Sequence, residues 1–216
     1  MQDHINVTGI IIKQAPVGDY DRRITMLTTS RGKISAFARG ARKPNSRFSA
    51  ACAPFCFGEF KLYEGRDAYV VAEADIKNYF EGFLTDIDAS FYAAYFGEIA
   101  DYYCRESNDE REMMKLLYQS LRALLKDSID NRLIRAVYEL KSIVVNGEFP
   151  GIPNDMDLSE STCYTLDFIN NTPVEKLYTF KVSDNVLSEL EKVSKKYCKT
   201  YMDHHFKSLE ILETML

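Results

Sequence analysis

Apolar and polar positions alternate in short runs over the first 80 residues of the chain. The runs are Val7–Lys13, Arg23–Thr29, Lys33–Arg39, Phe55–Tyr63 and Ala68–Ile76. A period of two with many β-branched and aromatic residues is typical of strands that bury one face. Tight turns are expected at Arg31-Gly32 and at residues 64–67, and a longer loop over residues 41–53. Five short strands with one long connection predict a small closed barrel of the OB-fold or SH3-like type.

Beyond Gly82 the apolar residues recur about every 3.6 positions, which predicts amphipathic helices. The stripes lie at Phe91–Tyr103, Met113–Leu125, Leu133–Val144 and Val186–Tyr197. The third helix is expected to end at Gly147, and the last helix to break near Asp203. Residues 148–182 show little periodicity, so they fit a loop or a small subdomain.

The change of period predicts an α+β chain with two domains. Residues 1–80 form the five-stranded barrel, and residues 81–216 form an all-helical domain with a loop insertion at about residues 148–182. The apolar fraction of 46% and the charged fraction of 27% are those of a globular protein. The longest apolar run, Phe91–Phe96, is far shorter than the roughly 20 residues of a membrane-spanning helix, and the N-terminus lacks a secretion-signal pattern. We therefore expect a cytoplasmic protein without a membrane partner.

Side chains that carry catalysis or bind metals are sparse and poorly placed. The five cysteines are an odd number at wide spacings, so we expect reduced thiols, with Cys52 and Cys56 as small buried hydrophobes. His204 and His205 are adjacent, and neighbours on a helix diverge by about 100°, which disfavours a shared metal ion. The sequence has no glycine-rich phosphate loop and no nucleophile motif. It therefore predicts neither an enzyme nor a bound cofactor.

Positive charge is concentrated near the N-terminus, although the whole chain has a net charge of −5. Residues 1–83 hold 12 Lys and Arg against 9 Asp and Glu, so that of the chain totals of 27 and 32 the other residues hold 15 and 23. Residues 22–47 contain eight cations and no acid. Because such a block repels itself, a polyanion such as nucleic acid is its usual partner. The alternative is a solvated surface whose counter-charges come from elsewhere in the fold.

The strand predicted over Lys33–Arg39 places cations and an aromatic ring on one face. Its apolar face, Ile34, Ala36 and Ala38, belongs to the core, which leaves Lys33, Ser35, Phe37 and Arg39 outside. Single-stranded nucleic acid requires this combination of cations for phosphates and a ring for base stacking. Alternatively, Phe37 packs under the loop of residues 41–53. The candidate nucleic-acid-binding residues are Arg22, Arg23, Lys33, Phe37, Arg39, Arg42, Lys43 and Arg47.

Several stretches of the chain match one bacterial family. The strongest matches are Gly18–Thr28 (GDYDRRITMLT), Gly32–Pro44 (GKISAFARGARKP) and Ser46–Phe48 (SRF). They resemble the N-terminal signature of the RecO family of recombination mediators. Weaker matches are Phe60–Arg66, Ala72–Ala74 and Gly147–Ile152.

This resemblance implies an OB-fold barrel followed by a helical domain. It also implies a protein of DNA repair and recombination that binds single- and double-stranded DNA and anneals complementary strands. With RecR, such a protein helps to load recombinase onto DNA coated by single-strand-binding protein, in the cytoplasm at the nucleoid. The alternative is a non-catalytic protein-interaction adaptor whose barrel does not bind DNA. The unopposed cations of residues 22–47 favour the mediator, because an adaptor does not need them.

One departure from the family pattern concerns zinc. Many members carry a four-cysteine zinc module in the region that corresponds to residues 150–182, and here that region holds only Cys163. A tetrahedral structural zinc site needs about four ligands. We therefore expect a zinc-free form of this region.

The resemblance also implies that the helical domain docks the acidic, hydrophobic-ended tail of single-strand-binding protein. Such a ligand requires an apolar pocket with cations at its rim. One predicted helix carries the cations Arg132, Arg135 and Lys141 beside a stripe of Leu133, Val137 and Leu140. These three cations are the candidate partner-binding residues. The alternative is that the stripe belongs to the core and the cations are solvated.

Overall fold

Five strands near the N-terminus form a closed barrel in the computed structural model, which describes residues 4–65 and 68–215. The strands are β1 (His4–Val17), β2 (Asp21–Thr28), β3 (Gly32–Ala38), β4 (Phe57–Tyr63) and β5 (Tyr69–Asn78). They close in the order β1-β2-β3-β5-β4, with β4 paired back onto β1. Neighbouring strands are antiparallel except β3 and β5, which run parallel. This order is that of the OB-fold, so the predicted barrel is confirmed.

Strand β1 is longer than predicted because it pairs on both sides. Residues 4–10 pair with β4, and residues 9–17 pair with β2 across a register shift between Ile11 and Lys13. At the shift, the Ile11 amide donates to the Cys56 carbonyl at 3.0 Å, and the Ile11 carbonyl accepts from the Phe55 amide at 2.7 Å. The bend at this shift allows β1 to pair with β4 along its first half and with β2 along its second half. This double pairing closes the barrel.

The connection between β3 and β4 adds side chains to the barrel core. A short helix, α1 (Phe48–Ala51), buries Phe48, and Cys52 and Cys56 follow it into the same cluster as Ile24 and Phe60. Burial raises the pKa of Cys52 to about 12 and that of Cys56 to about 11. Both thiols therefore stay protonated at neutral pH and pack as hydrophobes, as the sequence predicts.

The rest of the described chain is helical. The helices are α2 (Ile87–Tyr103), α3 (Arg111–Leu124), α4 (Asn131–Val145), α5 (Glu160–Asn171), α6 (Asp184–Tyr201) and α7 (Lys207–Met215), with 3₁₀ turns at Glu81–Leu84 and Val174–Lys176. The predicted helices over 91–103, 113–125, 133–144 and 186–197 are confirmed, as is the break near Asp203. Within the described residues, no helix has both the length and the apolar character needed to span a bilayer.

Helix α5 lies inside the segment of residues 148–182, so that segment is a small subdomain rather than a plain loop. Its buried side chains are Thr162, Thr165, Leu166 and Ile169. Because two of these four residues are threonines, only Leu166 and Ile169 form the apolar stripe, which is too short to predict a helix from hydrophobic periodicity. The residue before the helix, Ser159, is its N-cap: the Ser159 hydroxyl accepts a hydrogen bond from the Thr162 amide at 3.3 Å.

The chain divides into two compact units whose boundary crosses two helices. The first unit runs to Glu81 and also includes Ala100–Met114, whereas the second holds Gly82–Ile99 and the residues from Lys115 on. The end of α2 and the start of α3 therefore belong with the barrel strands. A division into domains at residue 80 stays a prediction.

A carboxylate from α6 holds the start of α5, so the stability of the protein is expected to fall in acid, where this carboxylate is protonated. Glu189 accepts hydrogen bonds from the Thr162 hydroxyl at 2.5 Å and from the Ser159 amide and hydroxyl at 2.9 Å each. These bonds lower the pKa of Glu189 from 4.5 to about 2. The lowered pKa means that the stabilisation is complete above pH 4.5 and is lost as pH falls toward 2.

We therefore expect Glu189→Gln to flatten the acid limb of the stability curve. Between pH 5 and pH 3 the melting temperature of the variant falls less than that of the parent, because the variant has no proton to bind at this position. Melting followed by circular dichroism at several pH values measures this, with Glu191→Gln on the same helix as the control. Acid limbs of equal steepness in the parent and Glu189→Gln would contradict the assignment.

Candidate nucleic-acid interface

Two loops of the barrel are joined by hydrogen bonds and carry three exposed cations, Arg39, Arg42 and Lys43. The β1–β2 turn, residues 18–20, lies against residues 39–43 after β3, and we call these two segments together the loop platform. The Arg42 amide donates to the Tyr20 carbonyl at 2.8 Å, and Arg42 Nη1 donates to the Gly18 carbonyl at 3.0 Å. The Gly40 amide donates to Asp21 Oδ1 at 2.7 Å. These bonds fix the backbone of both loops.

Local backbone geometry explains why the chain turns here. Gly18 and Gly40 have φ angles of +54° and +67°, in the left-handed region that glycine adopts at little cost. The predicted basic loop therefore folds back onto the preceding turn instead of extending into solvent. Arg39, Arg42 and Lys43 are exposed on this folded loop.

Tyr20 is a component of the platform that the sequence analysis missed. Its side chain is 53% exposed, and the Lys43 ammonium lies 5.4 Å from the centre of its ring. The residue stands between Asp19 and Asp21, just before the basic block, so charge gave no reason to include it. Its place in the turn before β2 was the one available signal.

Three further arginines hold their side chains by contacts with the barrel. Arg22 Nη1 donates to the Ser49 carbonyl and Arg47 Nη2 to the Ala72 carbonyl, each at 2.8 Å, whereas Arg23 Nε donates to Ser35 Oγ at 2.7 Å. A guanidinium has about five N–H donors, so each side chain is positioned while other donors remain.

Lys33 differs from the other cations of the block because an acid of the fold neutralises it. Its ammonium lies 2.8 Å from Asp101 Oδ1, also donates to the Asp101 carbonyl, and has a side chain 22% exposed. Within residues 4–65 and 68–215, none of the other seven cations of residues 22–47 forms an ion pair within 4.0 Å. Among the described residues, the interpretation with internal counter-charges is therefore supported for Lys33.

Phe37 lies on the outer face of β3. Ile34, Ala36 and Ala38 are buried, whereas Phe37 is half-buried opposite Arg23 of β2 and Val70 of β5. The predicted division of the strand into an apolar inner face and a mixed outer face is confirmed. A role of Phe37 in stacking stays a prediction.

A groove of about 520 Å³ extends the cationic surface toward the β4–β5 end of the barrel. Arg39 and Arg47 line it together with Tyr63, Glu64 and Glu73. Glu64 and Glu73 place negative charge in this groove, as Asp19 does in the turn of the loop platform. Arg39 belongs to both, so the groove adjoins the platform as part of one candidate surface.

The three candidate partner-binding cations on α4 have different environments. Arg132 is exposed and pairs with Asp130 at 2.8 Å. Arg135 pairs with the buried Glu139 at 2.9 Å and with Glu213 at 3.3 Å. Each of these arginines thus already has a carboxylate partner.

Lys141 is only 6% exposed and donates to the carbonyls of Ile169, Asn170 and Thr172 at 2.9 Å each. It neutralises the C-terminal end of α5, where helix carbonyls lack intrahelical donors. The stripe of Leu133, Val137 and Leu140 is 5% exposed or less. These burials fit the interpretation in which the stripe belongs to the core. Partner binding by Arg132, Arg135 and Lys141 stays a prediction.

The described residues contain no group of three or more His, Cys, Asp or Glu side chains arranged to hold a metal ion. His205, one of the two adjacent histidines, instead lies 3.2 Å from a carboxylate oxygen of Glu210. Cys163 is partly exposed in α5. The candidate site itself presents cations, backbone amides and the exposed ring of Tyr20.

The fold and the site define an OB-fold protein with a cationic loop surface and a helical C-terminal part. Residues 1–80 match the family model described as Recombination protein O N terminal, and residues 84–152 and 151–210 match Recombination protein O C terminal. The chain therefore belongs to the RecO family of DNA repair proteins.

Individual relatives cover almost the whole chain. DNA repair protein RecO of Acetivibrio thermocellus is 28% identical, with 99% of this chain and 98% of that protein covered. The proteins of the same name from Clostridium perfringens strain 13 and Clostridium kluyveri are each 26% identical and cover 95% and 96% of this chain. The resemblance predicted from the sequence is confirmed.

Proposed function

We propose that this protein is a recombination mediator that binds DNA through its barrel. It binds single- and double-stranded DNA, anneals complementary strands and, with RecR, helps to load recombinase onto DNA coated by single-strand-binding protein. It works without catalysis, in the cytoplasm at the nucleoid. The observation that carries the proposal is the set of seven cations of residues 22–47 that form no ion pair within the described residues.

Unpaired surface cations favour a polyanion for a thermodynamic reason. Phosphates that meet lysines and arginines release condensed counterions, and this release supplies most of the sequence-independent free energy of binding. The bonds within the loop platform hold Arg42 in place before DNA arrives, so little ordering entropy opposes association. An adaptor that binds only proteins would gain nothing from this arrangement.

Annealing requires two strands to be held while the hydrogen-bonding edges of their bases stay free. Contacts to phosphates position a strand without reading its sequence, so a cationic surface suits this task. The two proposed partners, RecR and the tail of single-strand-binding protein, rest on the membership of the RecO family. On the helical part, binding of the tail by Arg132, Arg135 and Lys141 stays a prediction.

A salt series of DNA titrations tests the proposal. If about four to six of the cations contact phosphates, the logarithm of affinity for a single strand falls against the logarithm of salt concentration with a slope of about −3 to −4. Fluorescence anisotropy with a labelled oligonucleotide of one strand, and with its duplex, measures both slopes. Affinity that does not change with salt, or no binding at low salt, would support the adaptor instead.

A further inference from the structure

Tyr20 combines an exposed ring with a fixed backbone. Its side chain is 53% exposed, whereas its carbonyl accepts from the Arg42 amide at 2.8 Å. The next residue, Asp21, accepts from the Gly40 amide at 2.7 Å. These bonds hold the backbone that carries the ring at one place on the surface. A ligand that meets the ring therefore has little backbone to order.

The charges around the Tyr20 ring make the turn that carries it a poor site for a phosphate group. Lys43 lies 5.4 Å from the ring centre, but Asp19 and Asp21 flank the tyrosine in the chain. An acidic turn repels phosphates, so the feature that this turn offers to a nucleic acid is the face of an aromatic ring. The phosphate contacts would come from Arg42 and Lys43 on the facing loop.

We propose that Tyr20 stacks on a base and thereby makes the loop platform favour single-stranded over duplex DNA. The inference rests on the proposed function. Cations contact the phosphates of both forms, so they do not select a single strand. In a duplex the bases are already stacked on each other, and a side chain reaches a base face only by unstacking a step. A single strand presents its base faces to the ring without that cost.

Three DNA ligands of equal length separate stacking from charge. They are a thymidine oligonucleotide, an abasic strand with the same phosphates, and a duplex. Tyr20→Ala is expected to weaken binding of the thymidine strand by about 5- to 100-fold, the usual effect of removing one stacking ring. Its affinities for the abasic strand and the duplex stay within about twofold of the parent values, because phosphate contacts remain.

Two further variants serve as controls. Tyr20→Phe keeps the ring and is expected to bind the thymidine strand like the parent. Tyr79→Ala removes another exposed tyrosine, 42% accessible at the end of β5, and is expected to change none of the affinities. The salt slope of Tyr20→Ala should equal that of the parent, since no charge is removed. Thermal melting shows whether each variant is folded.

The results distinguish this inference from the proposed function. If the parent binds single strands and Tyr20→Ala binds each of the three ligands with the parent's affinity, the stacking assignment is wrong but the proposed function stands. An equal loss for all three ligands would also overturn the assignment, because the platform rather than a stacked base would then be affected. If the parent binds no DNA, the proposed function fails, and this inference with it.

Discussion

Replacing Arg39 and Arg42 with glutamate is expected to weaken single-strand binding by about tenfold or more at physiological salt and to reduce the size of the salt slope by about 1.4. Both side chains are exposed on the loop platform, where an added carboxylate repels phosphates. The loss should be the same for all base sequences, because phosphate contacts position a strand without specifying it. Anisotropy titrations at several salt concentrations measure both quantities.

Two comparisons make this result interpretable. Arg39→Glu alone changes charge and leaves intact the 3.0 Å bond from Arg42 to Gly18, so it separates electrostatics from loop geometry. Lys77→Glu reverses an exposed lysine of β5 that pairs with Asp75 at 2.5 Å, away from the platform, and should stay within about twofold of the parent. Binding of the double variant at parental affinity would place the DNA site elsewhere.

The largest effect on stability is expected for Glu139→Ala in α4. Its carboxylate is 3% exposed and accepts bonds from Arg135 Nε at 2.9 Å, from the Tyr95 hydroxyl at 2.8 Å and from Ser194 Oγ. Removing one member of such a buried set leaves the others without an acceptor in a low-dielectric core. We expect the free energy of unfolding to fall by about 3–5 kcal/mol.

Urea unfolding with a two-state fit measures this loss. Glu213→Gln is the matched control, since Glu213 pairs with the same arginine at 3.3 Å but is 53% exposed, and it should cost about 1 kcal/mol or less. Parental stability of Glu139→Ala would mean that the network contributes no net stabilisation. The same contacts limit the choice of variants: Arg135→Glu and Lys141→Glu are expected to destabilise the fold, so neither tests partner binding cleanly.

The barrel was predictable from the sequence because its strands obey a local rule. In β3, Ile34, Ala36 and Ala38 alternate with less buried residues, and the alternation is visible in the printed letters. Helix α5 was less visible, because Thr162 and Thr165 occupy buried positions and because the carboxylate that holds its start, Glu189, comes 30 residues later than Ser159. Secondary structure that depends on a distant side chain leaves little trace in local periodicity.

The candidate site was predictable in composition but not in pairing. The basic block of residues 22–47 is evident in the sequence, yet the neutralising partner of Lys33 is Asp101, 68 residues away. The carbonyls that accept hydrogen bonds from the buried Lys141 ammonium come 28 to 31 residues after it in the chain. Exposure of Tyr20 depends on how two loops meet. Which cations remain available is therefore a property of the tertiary structure.

The contact between the β2–β3 hairpin and the end of α2 determines how the protein can be dissected. The Lys33 amide donates to the Arg105 carbonyl at 2.9 Å, and a Cβ at Gly32 would lie 2.3 Å from that same oxygen. A fragment that ends at residue 80 would lack both this strand partner and Asp101. It would gain a cation that the intact chain keeps neutralised, so under the proposed function we expect the fragment to bind DNA more tightly than the intact chain does. Affinities measured on the isolated barrel are then expected to overstate that of the whole chain.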